Sequence, residues 1–153
     1  MSLFQNYVAL ELDVKFKKLH EDAVLPYYAT DGSAGLDCHT VTDPIIEARY
    51  VCYKLGIAME IPKNYVGLLF PRSSVSKKDL MLANAVGVVD FDFRGEVQAR
   101  FKQINPELKS NQYKKGDAVC QLIILPYPKI KPQWADELSD TVRGEGGFGS
   151  TDS

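Results

Sequence analysis

Along the opening of the chain, apolar and polar residues take turns. In "LELDVKF", Leu10, Leu12, Val14 and Phe16 alternate with Glu11, Asp13 and Lys15. A period of two puts one set of side chains on each face of an extended chain, so this segment predicts a strand with one wet face. "EVQARF" repeats the pattern, with Val97, Ala99 and Phe101 on one face and Glu96, Gln98 and Arg100 on the other. The runs "YVCYKLGIAMEI", "YVGLLF", "VGVVDF" and "AVCQLIILPYPKI" are rich in the β-branched and aromatic residues that suit a pleated surface. Turn-prone groups separate these runs: "TDGSAG", "IPKN", "FRGE", "INPELKSN" and "KKGD". Only "SVSKKDLMLAN", residues 74–84, predicts a helix, and a short one. Many short strands punctuated by Gly and Pro predict an all-β fold, a jelly-roll-like barrel or sandwich with one short helix. There is no internal repeat. From about Asp140 the apolar pattern stops. Residues 1–139 are therefore read as one β-barrel domain and 140–153 as a mobile Gly-rich arm.

Composition narrows the function classes. The 153 residues are 45% hydrophobic and 25% charged, ordinary values for a globular domain. A net charge of −2 offers no electrostatic footprint for nucleic acid or an anionic membrane, and neither is expected as a partner. No apolar run nears the roughly 18 residues of a membrane span, and "MSLFQNYVAL" lacks a signal-peptide layout. Cys38, Cys52 and Cys120 are odd in number and far apart, which predicts buried or semi-buried thiols in a reducing, cytoplasmic setting. With only His20 and His39 and no Cys cluster, a protein-built zinc site is not expected, so a catalytic metal would arrive with its ligand.

Several segments hold residue types suited to phosphate chemistry. "RGEGGFGST", residues 143–151, places Arg143 and Phe148 among Gly, Ser and Thr. A plain linker needs neither, whereas a loop closing over a phosphorylated flat ring uses both. "FPRSSVSKKDL" sets the forked cation of Arg72 beside Ser73 and Ser74, a combination that holds phosphate oxygens. Taken alone it equally describes a helix cap with a solvated Arg; a helix starting there would add N–H groups to an anion site. In "NAVGVVDFDFRGEV", residues 84–97, Asp90 follows the apolar Val88 and Val89 and can serve as a general base toward water. The bland alternative is a hairpin turn solvated by Asp90 and Asp92. Phe91 and Phe93 fall on one side if the strand continues, which predicts core positions. Gln121, a lone amide in an apolar run, must find partners, and structural satisfaction comes before ligand contact. Asp37 in "GSAGLDCHT" reads in isolation as part of a surface turn.

The order of these pieces is more specific than any one of them. "AGLD", "PRSS", "GVVDFDFRGE", "GDAVCQLI" and "RGEGGFGST" resemble the five ordered motifs of the trimeric deoxyuridine triphosphatases (dUTPases), from Ala34 to Thr151. The resemblance implies a jelly-roll homotrimer with active sites between subunits. It implies hydrolysis of dUTP to dUMP and pyrophosphate, with Mg²⁺ held mainly by the triphosphate. Asp90 would orient and deprotonate the water attacking the α-phosphorus and bond the 3′-hydroxyl. Arg72, Ser73 and Ser74 would position the phosphates, Gln121 would contact the α-phosphate region or the water, and Asp37 would approach the metal through its water shell. Asn84 and the backbone of Gly87, Val88 and Val89 would read the uracil edge. Arg143 would clamp the outer phosphates, with donors from Gly149, Ser150 and Thr151. Phe148 would stack on uracil as a lid, on an arm that reaches to a neighbouring subunit.

Cytosine exchanges an acceptor for a donor at the 4-position, so fixed backbone partners would leave the wrong base unpaired. Phe93 stands where the family usually has Tyr; its ring would still pack under the sugar and leave no space for a 2′-hydroxyl. Leu36, Asp79 and Asp152 also depart from the pattern, the two acids adding charge near a triphosphate, and Cys120 reads as core filling. Two other readings remain open: a dCTP deaminase, which shares the fold and the Arg-Ser-Ser motif, and a regulatory module with a nucleotide-gated arm; a plain β-sandwich interaction domain does not explain five ordered motifs.

Overall fold

The two period-two segments enter strands at Lys15 and Gln98, and among the described residues every strand pair is antiparallel. The computed structural model describes residues 11–105 and 112–147. Its strands are β1 (Lys15–Lys18), β2 (Leu36–His39), β3 (Ile45–Ile46), β4 (Val51–Lys54), β5 (Ile57–Glu60), β6 (Tyr65–Pro71), β7 (Leu80–Leu82), β8 (Gly87–Val89), β9 (Gln98–Gln103) and β10 (Ala118–Pro126). One four-stranded sheet runs β2-β10-β6-β8, a second runs β3-β4-β9-β7, and β1 pairs with β5 in a two-stranded ribbon. Cys38, Leu69, Val89 and Leu122 from the first sheet and Tyr53, Leu82, Ala99 and Phe101 from the second belong to one buried cluster. Two sheets sharing one core make the expected jelly-roll-like sandwich.

Alternation holds where it was clearest. Val97, Ala99 and Phe101 are buried, and Leu12, Val14 and Phe16 are half-buried between exposed Glu11, Asp13 and Lys15; Leu10 lies outside the described residues. The run "YVCYKLGIAMEI" is two strands, because Gly56 turns the chain with φ +65°. A Cβ there would lie 2.8 Å from His20 Cβ and 2.9 Å from Val41 Cγ1, so only glycine fits. Cys38, Cys52 and Cys120 are buried free thiols. Cys120 faces Cys38 across β10 and β2, and their hydrogen bond, reinforced by burial, raises the Cys120 pKa well above the ordinary thiol value. Among the described residues no helix is long and apolar enough to cross a membrane.

Two expectations change. The helix predicted over 74–84 is a single 3₁₀ turn, Ser73–Lys77, followed by β7. Leu80 and Leu82 are buried on either side of exposed Met81, a period of two, and β9 offers them a ladder with Leu82 opposite Phe101. Pairing with an open strand edge overrides a weak helical preference. Phe91 and Phe93 do not share a core face either. The strand ends at Val89, a turn closes with the Phe93 N–H donating to the Asp90 carbonyl at 3.1 Å, and Phe91 is half-buried while Phe93 is 45% exposed.

An aromatic triad anchors the core. Tyr53 meets Phe101 and Tyr113 edge-on, with ring centroids 5.7 and 5.6 Å apart, and Phe101 lies 5.8 Å from Tyr113. The Tyr113 N–H donates to the Tyr53 hydroxyl at 3.2 Å. Burial pushes the Tyr53 phenol from 10.0 up to about 12, and burial also raises Tyr113. The folded protein holds these protons after the unfolded chain has released them. Their stabilisation is therefore complete below pH 10.0 and is lost as pH rises toward about 12. Unfolding free energy measured by urea titration is expected to fall across that window, while tyrosinate absorbance lags until the protein unfolds. Tyr53→Phe should flatten the decline.

Candidate active site

The first sheet gathers three of the predicted site residues. Gln121 in β10 lies opposite Asp37 in β2, and on the other side of β10 Cys120 lies opposite Pro71, the last residue of β6. Arg72 is the next residue, released from the strand at the height of Asp37. Its Nε donates to Asp37 Oδ1 at 3.1 Å and its Nη2 to Oδ2 at 3.0 Å. Gln121 Nε2 donates to Oδ1 at 3.3 Å. The Asp37 side chain is 6% exposed and that of Arg72 is 32% exposed. Asp37 is therefore no surface-turn residue. It is a buried carboxylate, and a buried charge persists only when it is paired and hydrogen-bonded. Arg72 has five N–H donors and spends two on this fork, leaving others for a ligand. Ser73 beyond it is exposed and Ser74 half-buried; Ser76 Oγ donates to the Ser73 carbonyl at 2.8 Å.

A second group forms along the β8 hairpin. Asn84, Gly87 and Phe93 line a groove of about 570 Å³, together with Glu96, Gln98 and Arg100. The turn that presents Asn84 places Ala85 at φ +59°, a left-handed conformation that costs a residue with a Cβ about 1 kcal/mol. Val88 is exposed, Val89 buried and Asp90 exposed at the end of the strand. Arg94 Nη1 donates to the carbonyls of Phe91 at 2.6 Å and Phe93 at 3.0 Å, which holds the turn after Asp90. The Phe93 ring lies over Gly95, where a Cβ would come within 2.6 Å of Cζ.

Within one chain these groups stay apart. Val89 is opposite Gly67, five residues before Arg72, and at about 3.3 Å per residue that offset is roughly 17 Å. Asp90 and Arg72 thus sit toward opposite ends of β6. In the arm, Arg143 is exposed and its Nε donates to the Gly146 carbonyl at 2.8 Å. Phe148, Gly149, Ser150, Thr151 and Asp152 lie outside the described residues. Asp79, expected to add charge beside a triphosphate, instead accepts the Asn105 N–H at 2.6 Å and pins the end of β9. Cys120 is fully buried, as core filling requires. Among the described residues no group of three or more His, Cys, Asp or Glu could hold a metal ion.

The family model described as dUTPase matches residues 21–152. The chain belongs to the dUTPase family. A relative from Hydrogenobaculum sp. (strain Y04AAS1), named deoxyuridine 5′-triphosphate nucleotidohydrolase, is 41% identical over 138 residues, 88% of this chain and 94% of its own. A relative of the same name from Escherichia phage T5 is 36% identical over 149 residues, 92% and 99% of the two chains. Among solved structures, the dUTPase of Staphylococcus bacteriophage 80alpha with dUpNHpp superposes with a TM-score of 0.78 at 27% identity, covering 90% of this chain and 97% of that one. A dUTPase from phage phi11 of S. aureus, described with a structural Mg(II) ion, shares the fold with a TM-score of 0.69 at 24% identity, over 82% of this chain and 97% of that one.

One feature beside Arg72 escaped the sequence reading altogether. Tyr113 and Lys78 line a small cavity of about 200 Å³ beside Arg72 and Ser74. Nothing local in "NQYKKGD" signals that the phenol folds inward.

The ion pair also yields a stability test. Arg72→Ala strands a buried carboxylate, and we expect a loss of about 2 kcal/mol, below the usual buried-pair figure because Arg72 is partly exposed. Adding Asp37→Asn should recover part of it. Urea denaturation of the single and double variants checks this, and equal losses in the two would show that the pairing carries no weight.

Proposed function

We propose that the chain hydrolyses dUTP to dUMP and pyrophosphate, and that its predicted site residues act as the dUTPase motifs imply. The carrying observation is the exposed Asp90 on the hairpin between Gly87 and Phe93, two residues that line the groove with Asn84, in a chain matched by the family model over 21–152. Asn84 and the backbone of Gly87, Val88 and Val89 bind the uracil edge, and the Phe93 ring packs against the sugar. The Asp90 carboxylate takes a proton from water as the water oxygen bonds to the α-phosphorus and the α–β bridging oxygen leaves with pyrophosphate. Arg72, Ser73 and Ser74 hold the phosphates. Arg143 joins them from the arm, whose Phe148, Gly149, Ser150 and Thr151 close over the nucleotide and exclude bulk water.

Asp37 is the residue that would face magnesium held by the triphosphate, and the ion would supply neutralisation of the phosphate charge. Asp37 fits a contact through a metal-bound water rather than direct ligation. A carboxylate has about four acceptor positions, and Arg72 and Gln121 between them occupy three. In this reading Gln121 supports the phosphates mainly by fixing Asp37 and, through it, Arg72.

The separation of Asp90 from Arg72 within a chain supports sites completed between subunits of a homotrimer. Exposed apolar side chains support it too: Ile130, Trp134 and Leu138, on the segment leading to Arg143, are 78%, 103% and 88% exposed in the single chain. The bacterial and phage relatives fit a cytoplasmic location.

Pyrophosphate release from dUTP, compared with dCTP, dTTP and UTP with and without Mg²⁺, tests the reading; ammonia from dCTP instead would favour the deaminase. Asp90→Asn is expected to keep nucleotide affinity while turnover falls by about 10² to 10⁴. Single-turnover kinetics beside equilibrium dialysis with a non-hydrolysable analogue separate those two effects. Truncation before Arg143 should leave the mass of the assembly, read by light scattering, at three chains per particle apart from the lost residues, and lower turnover severely; an undiminished rate would remove the arm from the mechanism.

A further inference from the structure

The small cavity beside Arg72 holds two hydroxyls whose placement packing does not explain. Tyr113 is 2% exposed, and its ring is wedged between Tyr53 and Phe101 with Lys78 Nζ 4.9 Å from its centroid. A phenylalanine would fill that space equally well. The hydroxyl it carries is buried and has no hydrogen bond of good geometry, and the same is true of Ser74 Oγ. The two line one cavity with Arg72; burial raises the Tyr113 phenol, and the Ser74 hydroxyl and the Arg72 guanidinium oppose that rise. Buried hydroxyls without partners are costly, so such a pair points to something that completes it.

Donor counting identifies the completing group. Each hydroxyl has one proton to donate, and a mutual bond uses one of the two. The second proton is left beside Arg72 and Lys78, which carry donors only. Lys78 Nζ also gives a bond to the Gln112 carbonyl at 3.2 Å, and Asp117, the one acid on the cavity wall, has Oδ2 engaged by the Lys114 N–H at 2.8 Å. A cavity edge dominated by donors suits an anionic oxygen.

We infer that Tyr113 is a positioning residue for the phosphate subsite: its buried hydroxyl orients that of Ser74, and with it the Arg72–Ser74 turn, toward the phosphate oxygens. This rests on the phosphate-binding role proposed for Arg72, Ser73 and Ser74. It adds a residue outside the five motifs and assigns the Ser74 hydroxyl a partner. Binding of the triphosphate closes the hydroxyl pair, so the contribution belongs to the nucleotide complex rather than to the empty fold.

Tyr113→Phe keeps the ring and tests the hydroxyl. In the full-length enzyme we expect KM for dUTP and the inhibition constant of inorganic pyrophosphate each to rise about five- to tenfold, with kcat within about twofold and the melting temperature unchanged. Ser74→Ala should raise KM at least as much, and the double variant should be no worse than Ser74→Ala alone, because Tyr113 acts through Ser74. Additive effects, or Tyr113→Phe unchanged in KM and pyrophosphate inhibition in an active enzyme, overturn this inference alone. An unmodified protein that releases no pyrophosphate from dUTP overturns the underlying reading and this inference with it.

Discussion

A carboxylate buried in a β-sheet constrains everything around it. Asp37 sits in β2 with almost no contact with water, and a bare charge there costs far more than one residue's packing can offset. The bidentate fork of Arg72 and the amide of Gln121 make the position tenable. Those partners lie 35 and 84 positions away in sequence, so the arrangement exists only when β2, β10 and β6 are adjacent and in one register. The same contacts that relieve Asp37 also aim Arg72. A surface Arg samples many rotamers; this one is held by two bonds before any ligand arrives, which lowers the entropy lost on binding an anion.

Burial also divides the labour between the two carboxylates. The oxygens of Asp37 are largely consumed by cationic and amide donors, which suits a fixed electrostatic anchor. Asp90 is exposed at the end of β8, its turn held through the Phe93 N–H and the Arg94 guanidinium on backbone carbonyls rather than through its own side chain. Its oxygens are placed for exchange with water, as a base requires. The antiparallel pairing of β6 with β8 puts these two kinds of group toward opposite ends of one strand. In the proposed reading a complete site therefore draws on a second chain, which ties the chemistry to assembly.

Much of the fold was legible because period two is a strong signal where one face is buried. Val97, Ala99 and Phe101 show it, and the burial of the thiols was legible as well; the turn at Gly56, inside a run that reads as one strand, was not. The stretch after Arg72 misled because three Ser, two Lys and a Leu-Met-Leu run suit a short helix as well as a strand edge. Only the open edge of β9 decides, and that is tertiary information. The turn after Asp90 hid in the same way: "DFDF" alternates correctly, yet the chain reverses there. The ordered motifs made the family legible, while the partnerships of their side chains were not. Asp37 looked like a surface turn because its neighbours Gly35 and Leu36 say nothing about a guanidinium 35 positions on. Tyr113 was invisible because inward burial of one phenol depends on Tyr53 and Phe101, both distant in sequence.

In the proposed reading, the ring at Phe93 departs from the family pattern and still keeps its role. Its position is set by Gly95 below it, since any Cβ there would come within 2.6 Å of the ring. The ring lies on bare backbone, and Arg94 locks the intervening peptide groups by two hydrogen bonds. A wall built this way excludes by shape, and shape belongs to the six carbons rather than to a phenol oxygen. In the proposed reading, rejection of a 2′-hydroxyl therefore depends more on glycine at position 95 than on a hydroxyl at position 93. A side chain at 95 would lift the ring and fill the groove that the sugar needs, whereas the missing phenol oxygen removes at most one hydrogen bond.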